Sequence, residues 1–147
     1  MRKTETPIAM QPCAFSKAVL ARQGGCQLVT LALVGEAERP QCASPVANTN
    51  CRTLHALLRE RATFALRLPP PATPLPYAAE LRLQCGGLRG LAVALGEPDA
   101  PPGDIHALVT RARDAFEGLL GIPFATVVAS VVRWEGRPRA SGGAGAP

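Results

Sequence analysis

Four cysteines within the first 51 residues are the side chains of this chain best suited to chemistry. Cys13, Cys26, Cys42 and Cys51 follow the spacing C-x12-C-x15-C-x8-C, and only one more cysteine occurs among the 147 residues. Zinc knuckles and ribbons bring close C-x2-C pairs, and none occurs here. An iron–sulfur cluster also takes four thiolates, and a four-iron cluster presents its irons at separate corners. The spacing therefore favours a 4Fe-4S cluster over zinc, with these four cysteines as the ligands.

The chain is expected to bend around these cysteines, so that the fold can gather them. Glycine or proline precedes three of the four: Gly24-Gly25 before Cys26, Pro12 before Cys13, and Pro40 two residues before Cys42. The fourth, Cys51, is predicted to begin a helix that Asn50 caps. At a helix N-terminus, free N–H groups and the helix dipole lower a thiol pKa, which favours the thiolate that binds metal.

Two other interpretations of the cysteines stay open: ordinary buried or exposed thiols, and disulfides. Disulfides are disfavoured because the count of five is odd and cytosolic thiols are kept reduced. The charge distribution bears on the metal interpretation. Residues 1–68 contain nine Lys or Arg and four Asp or Glu, whereas residues 69–147 contain seven of each kind. The basic excess could offset metal-bound thiolates or attract an anionic partner such as nucleic acid. Aromatic residues, at 4%, are too scarce for base stacking.

Two further residues, Cys85 and His55, are weighed as candidates. Cys85 continues the inward face of a predicted strand over 79–85, which favours a place in the core; its alternative is a nucleophile at the following Gly-Gly turn. No histidine or acid stands near it in sequence to activate it. His55 lies four residues after Cys51 and could replace a cysteine ligand. Its neighbours Arg52 and Arg59 indicate instead the solvent-facing side of the helix.

The hydrophobic pattern predicts a small α+β fold, mainly helical, with two or three short strands. Predicted elements are a short helix over 14–23, a strand over 27–34, a surface loop over 35–41, a helix from near residue 51, a strand over 79–85, a short helix over 88–95, a helix capped by Asp104, and a helix or strand over 124–134. The expected organisation is a cysteine-bearing part over 1–68 with a mobile arm at 1–12, a proline-rich linker at 69–76, a C-terminal α+β lobe at 77–135 and a disordered tail at 136–147.

The sequence predicts a small cytosolic metal-binding protein whose four-cysteine site carries an iron–sulfur cluster, for electron transfer or to hold the fold, with zinc as the second choice. No membrane span or secretory signal is recognisable. A freestanding enzyme is not expected, because no phosphate loop, dinucleotide fingerprint or catalytic constellation occurs. The alternative function is a metal-free adaptor that binds a protein partner through an apolar surface or the proline-rich linker. Nucleic-acid binding is the weakest candidate.

Overall fold

A computed structural model describes residues 10–136 of the chain. The fold is α+β and mainly helical, as predicted, with a three-stranded antiparallel sheet in the order β1-β3-β2. The strands and helices, in chain order, are β1 (Gln11–Pro12), α1 (Ser16–Leu20), β2 (Val29–Val34), β3 (Ala37–Cys42), α2 (Pro45–Leu66), α3 (Tyr77–Ala94), α4 (Ile105–Ala115), a short 3₁₀ helix (Leu119–Gly121) and α5 (Phe124–Arg133).

The sheet contains one predicted strand and one segment that was predicted to be a loop. The apolar run at 27–34 forms β2, and the expected surface loop at 35–41 instead contributes β3, which pairs from Val34↔Ala37 to Val29↔Cys42. Gly35 supports the tight connection with a φ of 68°. The charged residues of β3 are exposed, so they fit a hairpin that reaches into solvent. The polar composition of residues 35–41 is typical of a loop. The structure shows that prediction to be wrong, because β3 pairs with β1 on one side and β2 on the other.

Helix α2 begins six residues before Cys51, so the prediction of a start near Cys51 with Asn50 as the cap is wrong. Ser44 is the N-cap, and its hydroxyl oxygen accepts a hydrogen bond from the Ala47 N–H at 3.2 Å. Pro45 follows at the first helical position, where a missing N–H costs nothing. The Ser-Pro pair is the stronger start signal, and Cys51 therefore lies inside the helix.

Helix α3 replaces the predicted strand at 79–85 and runs straight through the Gly-Gly pair that was expected to end it. A Cβ atom at Gly86 would lie 2.6 Å from Val131 Cα, and one at Gly90 would lie 2.8 Å from Val127 Cα. Both glycines share one face of α3 because they are four residues apart. They let the backbones of α3 and α5 approach closely, which explains glycine inside a regular helix.

The hydrophobic core takes residues from both sides of the proline-rich segment. Its largest fully buried side chains are Phe15, Leu54, Leu58, Leu83, Leu88, Leu91, Ile105, Leu108, Val127 and Val131. Arg59, only 8% exposed, fastens the segment to α2: its Nη2 donates to the carbonyl oxygens of Pro69, Pro70 and Thr73 at 3.1, 2.8 and 2.8 Å. The segment is thus held by charge-assisted hydrogen bonds.

The ends of the chain were predicted to be a mobile arm and a disordered tail. Gln11 and Pro12, at the end of that arm, form β1 against β3. Residues 1–9 and 137–147 lie outside the described residues. Within residues 10–136, none of the helices combines the length and the apolar character that crossing a membrane requires.

Candidate metal centre

Three of the four cysteines lie at one end of the sheet. Cys42 ends β3, where it faces Gln11 on one side and Val29 on the other. Cys13 continues the same ladder, since its N–H donates to the Pro40 carbonyl at 3.1 Å. Side chains alternate along strands, so Cys13 and Cys42 occupy diagonal positions on one face. Cys26 stands just before β2, and its carbonyl accepts from the Val29 N–H at 3.1 Å.

Cys51 joins this end of the sheet from α2. Asn48, one turn earlier on the helix, donates its Nδ2 hydrogen bond to the Pro12 carbonyl at 2.9 Å. This bond ties α2 to the segment that carries Cys13. Asn48 is 1% exposed, and its Oδ1 has no hydrogen-bond partner among the described residues. Cys51 itself is half-buried against the hydrophobic core.

The thiols are near enough for their charges to act on one another. The pKa of Cys51 is raised to about 12, mainly by burial and in addition by the thiolate charges of Cys13, Cys26 and Cys42. The pKa of Cys13 is raised to about 11: burial is the largest cause, the Phe15 N–H opposes it, and the charges of Cys26 and Cys42 add to it. Cys51 thus lies within electrostatic range of the three other cysteines.

The lowered thiol pKa expected for Cys51 is wrong, because this residue lies inside α2 and its burial raises the pKa. The arginines expected to offset thiolate charge are not among the described groups that shift the pKa of Cys13, Cys26 or Cys51. The thiols of Cys13, Cys26 and Cys51 are consequently protonated at neutral pH. A bound cation would have to displace those protons.

Backbone N–H groups donate hydrogen bonds to the sulfur atoms of Cys26 and Cys13. Burial raises the pKa of Cys26, while the N–H groups of Leu28 and His106 lower it and the Asp104 carboxylate raises it. The Phe15 N–H likewise lowers the pKa of Cys13. Donors of this kind stabilise a thiolate, and hydrogen bonds to sulfur tune metal–thiolate centres.

No three His, Cys, Asp or Glu side chains in residues 10–136 are arranged so that they could hold a metal ion. All five cysteines, each of them within the described part of the chain, carry free thiols. The gathered cysteines thus form neither a finished single-ion site nor a disulfide pair in this structure.

His55 does not face solvent beside Arg52 and Arg59, so that interpretation is wrong. Arg59 is buried, and His55 is half-buried with its ring edge-on to Phe15. Its Nε2 donates to Glu80 Oε2 at 2.5 Å. Burial alone would raise the pKa of Glu80, but the hydrogen bonds from His55 and Gln84 outweigh it, so this pKa is lowered and the carboxylate is ionised.

Gln84 extends this pair into a buried polar chain. Its Nε2 donates to Glu80 Oε2 at 2.7 Å, and its Oε1 accepts from the N–H groups of Lys17 and Ala18 at 3.0 and 3.1 Å. Gln84 is 3% exposed, so these bonds lie in a low-dielectric setting where they fix orientation strongly. The chain Gln84–Glu80–His55 therefore holds the imidazole in one position.

Cys85 belongs to the core, as predicted. It is fully buried, and burial raises the pKa of its thiol to about 11, with Arg89 acting weakly in the opposite direction. A thiol this hard to ionise is a poor nucleophile. The same argument applies to Cys13, whose pKa His55 does not shift although both residues line one cleft.

Sequence reasoning missed Asn48, Gln84 and the His106 N–H. Asn48 precedes the predicted helix start near residue 51, and Gln84 falls on the outer face of the predicted strand over 79–85. Both side chains are almost fully buried. Their partners lie 36 and 67 residues away along the chain, so no local signal could have identified them.

No protein-family model matches the chain, and no curated protein or solved structure is significantly similar to it.

Proposed function

We propose that Cys13, Cys26, Cys42 and Cys51 hold an iron–sulfur cluster of the 4Fe-4S type, in a small cytosolic protein. One observation carries the proposal: Cys13 and Cys42 occupy diagonal positions on one face at the end of the sheet, and their charges, with that of Cys26, raise the pKa of Cys51 on α2. Strand β3, the residue after β1, the segment before β2 and α2 supply the four cysteines. A site drawn from four separate elements fits a cofactor that ties those elements together.

The arrangement supports a cluster better than a single zinc ion. A zinc ion needs its ligands about 2.3 Å from one point. No three candidate ligands in residues 10–136 are arranged for a metal ion. A four-iron cluster accepts one thiolate at each corner and tolerates a wider set of sulfur positions. Cluster binding also suits the half-buried, apolar setting of Cys13, Cys26 and Cys51 and the N–H donors aimed at two of these sulfurs.

The raised pKa values argue against thiol chemistry without metal. A reactive thiol needs a lowered pKa, because the thiolate is the nucleophile. Cys13 and Cys51 instead have pKa values of about 11 and about 12. Neither a thiol-dependent hydrolase nor a disulfide exchanger is supported by such values. Iron would supply the positive charge that makes the thiolates stable.

The expected role of the cluster is electron transfer, with a structural role as the alternative. Cys13 and Cys26 are only partly buried, so a cluster held by them would lie close to the protein surface. That position favours electron exchange with a partner protein. A structural cluster would show itself by a large loss of stability when the iron is removed.

The test is purification of the full chain without oxygen. Cluster-bearing protein should be brown, with a broad absorption near ~400 nm that bleaches on reduction. Colourless protein with one zinc per chain would refute the cluster and support a zinc site instead. Colourless protein that takes up neither iron nor zinc on reconstitution would refute both.

The second candidate function is a metal-free domain that binds a protein partner. The observation in its favour is the exposure of large apolar side chains, with Phe64 at 94% and both Leu33 and Leu120 at 74%. Phe64 is the most exposed of them, and an apolar patch around it would be typical of an interaction site. Metal-free protein that stays folded and loses partner binding on Phe64→Ser would support this function.

A further inference from the structure

A cleft of about 510 Å³ opens beside Cys13, on the face of α2 that carries Asn48. Its walls come from three places: the end of β1 with Cys13 and Ala14, the α2 face with Asn48, Arg52 and His55, and Glu80 of α3. Clefts of about 300–1,000 Å³ are the size in which proteins bind small molecules. The His55–Glu80 pair lies in its wall and takes no part in the proposed cluster.

Two polar side chains of this cleft, His55 and Asn48, are held in place before any ligand arrives. The Gln84–Glu80–His55 chain fixes the imidazole from behind. Asn48 is fixed by its bond to the Pro12 carbonyl. Binding a ligand would therefore cost little ordering of side chains, and such preorganisation favours affinity.

The charges of the cleft favour an anion. The Glu80 carboxylate is ionised, and its Oε2 is engaged by hydrogen bonds with His55 Nε2 and Gln84 Nε2. Arg52 is exposed, and no acidic residue among 10–136 forms an ion pair with its guanidinium. One arginine suits a single carboxylate, because the planar guanidinium group can donate two parallel hydrogen bonds to the two carboxylate oxygens.

Two hydrogen-bonding positions add a second requirement. The His55–Glu80 bond uses Nε2 and leaves Nδ1 of the imidazole for another partner. In the same wall Asn48 carries a buried Oδ1 without a donor, and an unsatisfied acceptor of this kind costs about 1–3 kcal/mol until a donor reaches it. We propose that the cleft binds a small organic acid, with its carboxylate on Arg52 and a hydroxyl or amino group of the same molecule bonded to this polar wall.

The test is titration of the full-length protein with L-malate, followed by amide chemical shifts in NMR spectra. Malate carries both required groups, and propane-1,2-diol serves as the probe without a carboxylate. Shifts confined to the amides around Cys13, Asn48 and Arg52 are expected with malate and absent with the diol. Inorganic phosphate, added separately, shows whether any anion suffices; equal binding of phosphate would overturn the assignment of an organic acid.

A matched pair of variants locates the binding. Arg52→Gln should weaken malate binding at least about tenfold, a free-energy change of roughly 1.4 kcal/mol. Arg61→Gln changes another exposed arginine of α2, which lies over the Phe124 ring at 4.9 Å and outside the cleft, and should leave binding unchanged. An equal effect of both substitutions, or no shifts at about 10 mM malate, would overturn the proposal. The experiment needs no bound cluster, so its failure leaves the proposed cluster untouched.

Discussion

The burial of Cys51, with the charges of the neighbouring thiols, predicts how the stability of the metal-free protein changes at alkaline pH. In the unfolded chain a cysteine ionises near pH 9.0, whereas the pKa of Cys51 in the folded protein is about 12. The folded state therefore keeps a proton that the unfolded state loses. This contribution to stability is fully present below pH 9 and is lost as the pH rises towards 12. Metal-free protein should thus become less stable on passing through this window.

The substitution Cys51→Ser isolates this effect, because serine does not ionise there. A single thiol with that shift removes about 1 kcal/mol of unfolding free energy between about pH 8.5 and about pH 10, and partial exposure makes the true loss somewhat smaller. Urea unfolding at several pH values measures it. The variant should lose correspondingly less stability than the unaltered protein over that range.

Ala56→Ser, on an exposed position of the same helix, is the control and should leave the pH dependence unchanged. The quantity compared is the change of the unfolding free energy with pH. A loss of stability caused by the serine that is the same at every pH therefore does not affect the comparison. If Cys51→Ser and the unaltered protein lose stability in parallel, the Cys51 thiol is not buried among other thiols and the reasoning fails.

Three further substitutions test other parts of the structure. Gly90→Ala places a Cβ 2.8 Å from the α5 backbone and should destabilise the protein by about 1–3 kcal/mol in urea unfolding, while Gly103→Ala, with nothing within 4 Å, should change little. Arg59→Met removes three hydrogen bonds to the proline-rich segment, so limited proteolysis should cut 69–76 faster; unchanged cleavage would contradict its anchoring role. Glu80→Gln should be less stable than the unaltered protein at neutral pH, and the difference should shrink as the pH falls below about 4.5, because the lowered pKa of Glu80 stabilises the folded state only above that range.

The elements predicted correctly are those with a clear local signal. The mostly apolar run at 27–34 contains strand β2 (Val29–Val34), and the apolar stripe after Asp104 is helix α4. The segment at 124–134 was left open between helix and strand because its β-branched residues suit both, and α5 forms there. Packing against the glycine face of α3 decides between them, and that contact joins residues about 40 apart.

The wrong strand at 79–85 shows how a short pattern misleads. Leu81, Leu83 and Cys85 alternate with charged or polar residues, as a half-buried strand would. In the structure Leu83, Gln84 and Cys85 are all buried, so alternation does not separate inside from outside. Gln84 is buried because it accepts hydrogen bonds from the start of α1. Only tertiary contacts carry that information.

The candidate site, like the fold, was only partly predictable from the sequence. The residue types and the spacing of the cysteines select the four residues proposed as ligands, and that assignment stays a prediction. The position of Cys51 within α2 and the tether through Asn48 depend on contacts distant in sequence. The identity of a bound metal is not encoded in either pattern, because thiolates serve both iron and zinc.

The central claim is tested most directly by iron and acid-labile sulfide analysis of five single Cys→Ser variants after anaerobic reconstitution. The unaltered chain and Cys85→Ser should each hold about four irons and four sulfides, and each of the variants at Cys13, Cys26, Cys42 and Cys51 should lose most of the cluster or bind it unstably. Equal iron in all five variants, or none in the unaltered chain, would contradict the four-cysteine cluster.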